Sequence, residues 1–200
     1  MTDLSTKSSS IAATLAEEII RGEHAPGARL AQEHIAARFT CSHVPVREAL
    51  QQLVQMELAV AIPRRGVRVV APTAADHAEI LEMRLALEPL ALRQAAPYIT
   101  PNDIKEINAL RQRCDAAEDP ITWEKANRDF HMAILRPCRR KRLLNSIEAL
   151  QRLSAHRFHA QWQKRWVQRT DRDHAAIVRA MANRDPETAC LVLTRHLGRR

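Results

Sequence analysis

The chain has 200 residues, of which 46% are hydrophobic and 27% charged, and its formal net charge is +8 at pH 7. This composition excludes a disordered chain, and no apolar run approaches the roughly 18 residues that a membrane helix needs. The four glycines form neither GxGxxG nor GxxxxGK, which excludes nucleotide sites of the Rossmann and P-loop types.

The N-terminal part is predicted to contain three helices followed by a two-stranded ribbon. Gly22 ends the first helix, and Ser42 can cap the third. The strands flank a basic turn, Pro63-Arg64-Arg65-Gly66, in the pattern of a hairpin. The predicted helices cover 8–21, 32–39 and 43–57, and the predicted strands cover 58–62 and 67–70. This order of elements is typical of a winged helix-turn-helix.

Beyond Ala71-Pro72-Thr73 the chain is predicted to be entirely helical, because prolines separate a series of amphipathic segments. The predicted helices cover 74–96, 102–117, 121–136, 140–163, 167–183 and 186–197. We therefore predict a mainly α fold with two domains. The first, 1–72, is the winged helix-turn-helix, and the second, 73–200, is an all-helical bundle.

The third predicted helix has one apolar and one polar face. At 100° per residue the apolar face consists of Val46, Ala49, Leu50, Leu53 and Val54. The polar face carries Arg47 and Gln51 one turn apart, with His43 one turn before Arg47. Such side chains near a helix N-terminus read bases in the major groove of DNA. An ordinary solvated face is the alternative. For phosphate or minor-groove contact the ribbon adds Arg64, Arg65 and Arg68.

The first helix of the bundle places two charges inside its apolar arc. On a helical wheel, Arg84 and Glu88 lie one turn apart among inward-facing leucines. Burying a charge is costly unless it is paired or holds a ligand. Two interpretations stay open: a structural ion pair, or an arginine that binds an anionic ligand.

Later helices repeat this pattern with neutral polar residues. Asn127 and His131 share one face of their helix, and His174 and His196 each lie within the apolar stripe of another helix. A single inward histidine is usually structural. Imidazoles that converge from several helices of one bundle can instead form a metal site.

Three further histidines take other positions on the same wheels. His77 lies on the inward face near the start of its helix and is a candidate wall residue of the cluster. His156 and His159 lie mostly off the apolar stripe of their helix. They are therefore predicted to be exposed.

The stretch from Gly27 to Val70 resembles the DNA-binding domain of the GntR family of bacterial transcription regulators. The resemblance depends on the PVREAL core, 45–50, and on the basic turn with its glycine. Gln32, His43 and Val44 stand where the family usually has Glu, Arg and Thr, so sequence preference or affinity is expected to differ. The polar face and the resemblance together predict DNA contacts from Ser42, His43, Val44, Arg47, Gln51, Arg64, Arg65 and Gly66.

Residues 74–197 resemble the FCD effector domain of the FadR-like branch of that family. The matching segments are LEMRLALEPLA, NxxFH, DHxxIVxAM and the terminal His-Leu. The resemblance implies a small carboxylate effector near Arg84 and Glu88, bound at a divalent metal ion. Zinc, nickel and manganese are the candidates, and imidazole-rich ligation favours the first two. The implied metal ligands are Asn127, His131, His174 and His196.

We therefore predict a homodimeric transcription regulator, expected to be a repressor, that binds a double-stranded DNA operator under control of the carboxylate. No signal peptide is recognisable, so we expect a cytoplasmic protein without a membrane partner.

One alternative is a metal-dependent enzyme acting on a small organic acid. It is disfavoured because no Glu or Asp is in an obvious general-base position beside the histidines, and no ExxH motif occurs. The other is non-specific, salt-sensitive nucleic-acid binding through the basic stretch 136–172.

Overall fold

The computed structural model describes residues 4–162, 165–168 and 170–199. One compact unit contains the described residues up to Thr73 together with His156–Gln161, and the other contains those of Ala74–Ala155 and Trp162–Arg200. The described chain is mainly helical with one two-stranded sheet. This confirms the predicted fold class. Within these residues no helix combines the length and hydropathy needed to cross a bilayer.

The first unit is built on three helices and a ribbon. The helices are α1 (Leu4–Ile20), α2 (Gln32–Arg38) and α3 (His43–Gln55), and the strands are β1 (Ala59–Ile62) and β2 (Gly66–Val69). Helix α3 packs against α1 and α2, and it buries the predicted apolar side chains Val46, Ala49, Leu50 and Leu53. The polar face of α3 is therefore left outside this core.

The ribbon is an antiparallel pair with Ala59 opposite Val69 and Ile62 opposite Gly66. Gly66 begins β2 with φ of 79°, a left-handed conformation that glycine adopts without steric cost. The turn before α2 is tied to the ribbon, because the Gly27 amide donates to the Val69 carbonyl at 2.9 Å. The ribbon that carries the basic turn is therefore attached to the segment before α2.

The second unit is a helical bundle. Its helices are α4 (Ala74–Ala95), α5 (Pro101–Ala116), α6 (Pro120–Leu135), α7 (Lys141–Arg157), α8 (Arg172–Ala182) and α9 (Pro186–Gly198). Helix α9 packs on α4 and α8, and α5 packs on α6 and α8. Asp119, Asp171 and Asp185 cap α6, α8 and α9 by accepting backbone N–H groups of the first turn. These caps fix the positions of the helices that carry the inward polar residues.

Three predicted helices differ from their predicted bounds by four residues or more in the structure. The predicted helix 8–21 begins earlier, at Leu4. The predicted helix 140–163 is α-helical only to Arg157 and continues as a π turn, Phe158–Trp162, while its predicted end at 163 lies outside the described residues. The predicted helix 167–183 begins only at Arg172, because the Asp171 carboxylate accepts from the amides of Asp173 and His174 and starts the helix there.

Candidate functional site

The bundle brings three buried histidines together. His131 on α6, His174 on α8 and His196 on α9 point their Nε2 atoms at one another. The Nε2 atom of His196 is 3.3 Å from that of His131 and 3.2 Å from that of His174. Two ligands at about 2.1 Å from one ion lie about 3.0 to 3.4 Å apart, so these separations suit a shared metal.

Carboxylates face the other ring nitrogens of two of these histidines. His131 Nδ1 is 3.1 Å from Glu88 Oε2, and His196 Nδ1 is 3.5 Å from Asp171 Oδ2 and 3.9 Å from Asp173 Oδ2. A carboxylate at Nδ1 favours the tautomer that carries its proton there, which leaves the Nε2 lone pair available. The lone pairs of His131 and His196 then face each other at 3.3 Å. A bound cation would relieve their repulsion, so the donor set fits a divalent metal that accepts imidazole.

Asn127 is buried on α6, one turn before His131, as the sequence predicted. Residues four apart on a helix share a face, so its amide lies on the same side of α6 as the His131 imidazole. The neighbouring Phe130 ring stacks on His174 with centroids 4.2 Å apart. This aromatic packing holds the His174 ring in place.

Arg84 and Glu88 form the ion pair that the sequence left open as one interpretation. Arg84 Nε donates to Glu88 Oε1 at 2.7 Å, and Gln151 Nε2 donates to the same oxygen at 3.3 Å. Arg84 Nη1 also donates to Ser154 Oγ at 2.9 Å. Burial would raise the pKa of Glu88, but the charge of Arg84 and the contact with His131 outweigh it and hold the pKa at about 2. Glu88 is therefore an anion that links Arg84 to the histidine cluster.

The sequence placed no Glu or Asp in an obvious general-base position beside the histidines, but the structure brings carboxylates close to their rings. Glu88 and Asp171 are 3.1 and 3.5 Å from ring nitrogens of the cluster, and Asp173 lies nearby. Asp171 was placed inside a predicted helix, whereas it is the N-cap of α8. The sequence did contain a signal for this, since Asp171 precedes His174 by three residues in the spacing of a cap and its first turn.

His156 and His159 are buried, with 3% and 2% of their surfaces exposed, so their predicted exposure is wrong. The wheel assumed that only the bundle covers this helix. The segment His156–Gln161 instead belongs to the first unit, and an added Cβ at Gly22 would lie 3.9 Å from the His159 Cβ. Burial lowers the pKa of His156, and the neighbouring His159 lowers it further. His77, the candidate wall residue, is half-buried on α4.

The residues predicted to contact DNA are exposed on the first unit. They are Ser42, His43, Val44, Arg47 and Gln51 on α3 or at its cap, and Arg64, Arg65 and Gly66 in the ribbon. Arg68 differs, because its side chain is half-buried and donates to the Gly27 carbonyl at 2.9 Å. Arg68 therefore stabilises the ribbon, and its guanidinium is less available for the predicted DNA contact than those of Arg64 and Arg65.

Two family models match the chain. The model for bacterial regulatory proteins of the gntR family matches residues 7–69, and the model for the FCD domain matches residues 79–199. The HTH-type transcriptional repressor GlaR of Escherichia coli is 27% identical over 196 residues, which cover 92% of this chain and 89% of GlaR. The HTH-type transcriptional regulator BphR of Paraburkholderia xenovorans is 33% identical over 135 residues, which cover 62% of this chain and 54% of BphR.

A solved structure of a GntR transcriptional regulator from Rhodococcus sp. RHA1 has the same fold. It superposes with a TM-score of 0.84 at 26% identity, covering 97% of this chain and 95% of that one. The winged helix-turn-helix and the helical bundle described above are therefore those of a known architecture.

Proposed function

The chain belongs to the GntR family of bacterial regulatory proteins and carries an FCD domain, and from this we propose that it is a repressor controlled by a small carboxylate bound at a metal ion. Like its relatives, it is a DNA-binding transcription regulator and not an enzyme. The observation that carries the proposal is the convergence of three imidazole Nε2 atoms in the FCD domain. We further propose that it acts in the cytoplasm.

We assign DNA binding to residues 1–72. Arg47 and Gln51 on the exposed face of α3 would read base edges, and Arg64 and Arg65 of the ribbon would neutralise phosphates. Support comes from the position of these side chains outside the core that α3 forms with α1 and α2.

We assign effector binding and dimerisation to residues 73–200. The exposed side chains of Met83 and Leu90 lie seven residues apart on α4, with the half-buried Leu87 between them. Positions with this spacing share one helix face, and a row of exposed apolar side chains favours association. A homodimer would also supply two α3 helices for two half-sites of an operator. Light scattering of wild type and Leu90→Glu tests this: wild type should be a dimer and the variant a weaker one, whereas a wild-type monomer with and without DNA contradicts it.

We propose that His131, His174 and His196 hold the metal, with Asn127 as a fourth ligand. Zinc and nickel fit this donor set better than manganese, because imidazole suits them. When bound, the ion would act as a Lewis acid towards a carboxylate oxygen. Four neutral ligands leave the charge of the ion available to an anion. The carboxylates of Glu88 and Asp171 act from behind the rings and orient them.

Arg84 is proposed as the second anchor of the effector carboxylate. Its guanidinium already binds Glu88 and Ser154, so an incoming carboxylate has to share or displace one of these contacts. Displacing Ser154 would break the hydrogen bond by which Arg84 on α4 contacts α7. Effector binding would thereby act on a helix whose continuation, His156–Gln161, belongs to the same compact unit as the winged helix-turn-helix.

A thermal-shift screen tests the proposal. Metal-free and metal-loaded protein are heated with a set of small carboxylates, and a true effector should raise the melting temperature only of the loaded form. The same acid should change affinity for an operator duplex in a gel-shift titration. His131→Ala should abolish the metal-dependent shift. Equal stabilisation without metal contradicts the metal-bound effector, and turnover of the acid would indicate an enzyme.

A further inference from the structure

The exposed face of α3 carries an apolar side chain at its centre. At 100° per residue, Val44 lies about 20° from Gln51 and about 60° from Arg47, within one polar arc. It points about 170° away from the mean direction of the five buried side chains of α3, which are Pro45, Val46, Ala49, Leu50 and Leu53. Val44 therefore projects directly away from the core of its unit.

Val44 has 46% of its surface exposed in the second residue of the helix. Among the large hydrophobic residues described in the first unit, only Val60, at 45%, is exposed to a similar extent. A single exposed valine is unremarkable on an ordinary surface. Here, however, it lies between His43 and Arg47 on the face that is proposed to enter DNA, where it gains no contact with the core.

A valine in the major groove has one natural partner. It offers no hydrogen-bond donor or acceptor, so it cannot read the polar edge of any base. The apolar group that bases expose in this groove is the C5-methyl of thymine, and 5-methylcytosine carries the same group. Contact between this methyl group and the two methyl groups of Val44 removes apolar surface of both the base and the protein from water.

We propose that Val44 is a specificity-determining residue that contacts the C5-methyl group of a pyrimidine in each operator half-site. The proposal rests on the proposed DNA binding by α3. Val44 would affect which base sequence is preferred, whereas its neighbours His43 and Arg47 would supply the polar and charged contacts. Removal of the pyrimidine methyl should weaken binding about four-fold per half-site, the ratio that corresponds to one buried methylene.

The test begins with duplexes selected from a randomised DNA pool by the wild-type protein. Each thymine of the selected duplex is then replaced singly by deoxyuridine, which removes only the methyl group, and each cytosine is replaced singly by 5-methylcytosine. Gel-shift titrations compare wild type with Val44→Ala. Val60→Ala is the matched control, because it removes an equally exposed valine from β1.

If Val44 contacts a thymine, a single uracil substitution at that position in one half-site weakens binding by wild type and by Val60→Ala about four-fold but leaves binding by Val44→Ala unchanged. For a 5-methylcytosine reader, the same pattern appears as tighter binding when one cytosine is methylated. The proposal is overturned if no methyl, removed or added, distinguishes Val44→Ala from wild type. If the wild-type protein selects no sequence at all, the proposed operator binding fails, and the role of Val44 fails with it.

Discussion

Replacing Glu88 by Gln tests the link between the buried ion pair and the proposed metal site. The two carboxylate oxygens have different partners: Oε1 accepts from Arg84, and Oε2 lies against His131 Nδ1. A glutamine has one acceptor oxygen and one NH₂ group. It must therefore point its NH₂ either at the Arg84 guanidinium or at the His131 ring. Each arrangement removes an acceptor oxygen that the wild-type carboxylate supplies to Arg84 or to His131.

If the NH₂ group faces His131, Nδ1 has to accept, and the ring proton moves to Nε2. That tautomer has no lone pair directed at the other two imidazoles. If the NH₂ group faces Arg84, two donors oppose each other in a buried site. We expect metal affinity to fall about 10- to 100-fold, the usual effect of changing a carboxylate behind a ligating histidine.

The cost to stability follows from the same contacts. A pKa of about 2 instead of 4.5 for Glu88 corresponds to about 3 kcal/mol in favour of the buried anion. Because the folded-state pKa is lowered, this contribution is fully present above pH 4.5 and is lost as the pH falls towards 2. Removing one partner of a buried ion pair costs about 3–5 kcal/mol in other proteins, which agrees. Metal-free Glu88→Gln should thus lose about 3 kcal/mol of unfolding free energy at pH 7.

Urea unfolding of the metal-free protein and competition titration with a chelator measure the two effects separately. Glu124→Gln is a control, because Glu124 is also buried and pairs with Arg128 one turn away at 3.3 Å. It should reduce stability without the loss of metal affinity. Adding Arg84→Met to Glu88→Gln should restore metal affinity, since the amide can then turn its NH₂ away from His131 and towards Gln151, whose own amide can rotate to accept it. Glu88→Gln protein with wild-type metal affinity and stability would refute the reasoning.

Three further predictions concern other residues. His131→Ala should lose the metal after reloading, whereas His156→Ala and His159→Ala should retain it, as elemental analysis will show; metal loss in the latter two contradicts the proposed ligand set. Arg47→Ala should abolish sequence-specific operator binding in gel shifts while circular dichroism and oligomeric state stay unchanged; an unaltered sequence preference excludes Arg47 as a base reader. Burial lowers the pKa of His156 from 6.5, so its neutral form contributes stability above pH 6.5 that is lost as the pH falls. His156→Gln should therefore flatten the acid side of the stability profile, with the exposed His34→Gln as comparison; an equally steep profile contradicts this.

The sequence predicts most of the first unit because its signals are local. The apolar face of α3 repeats with helical period, and the basic turn lies between two strand-like runs, so both are legible without knowing any partner. The convergence of His131, His174 and His196 was also predictable, since each lies within the apolar stripe of its own helix. Helices that bury such stripes in one bundle have to bring these polar residues close to one another.

The carboxylates behind the histidines show what a helical wheel omits. The wheel gives the direction of a side chain around one axis, but the partner of His131 comes from α4 and that of His196 from the cap of α8. Neither can be obtained from the helix that carries the histidine. The exposure predicted for His156 fails for a related reason, because His156 is buried and belongs to a different compact unit from the α7 residues that precede it. The same wheel correctly placed Arg47 and Gln51 outside the core of α3, because that helix has its apolar neighbours on one side only. Wheel arithmetic is therefore sound for a helix with one covered face, and it has to be corrected wherever a helix passes from one compact unit to another.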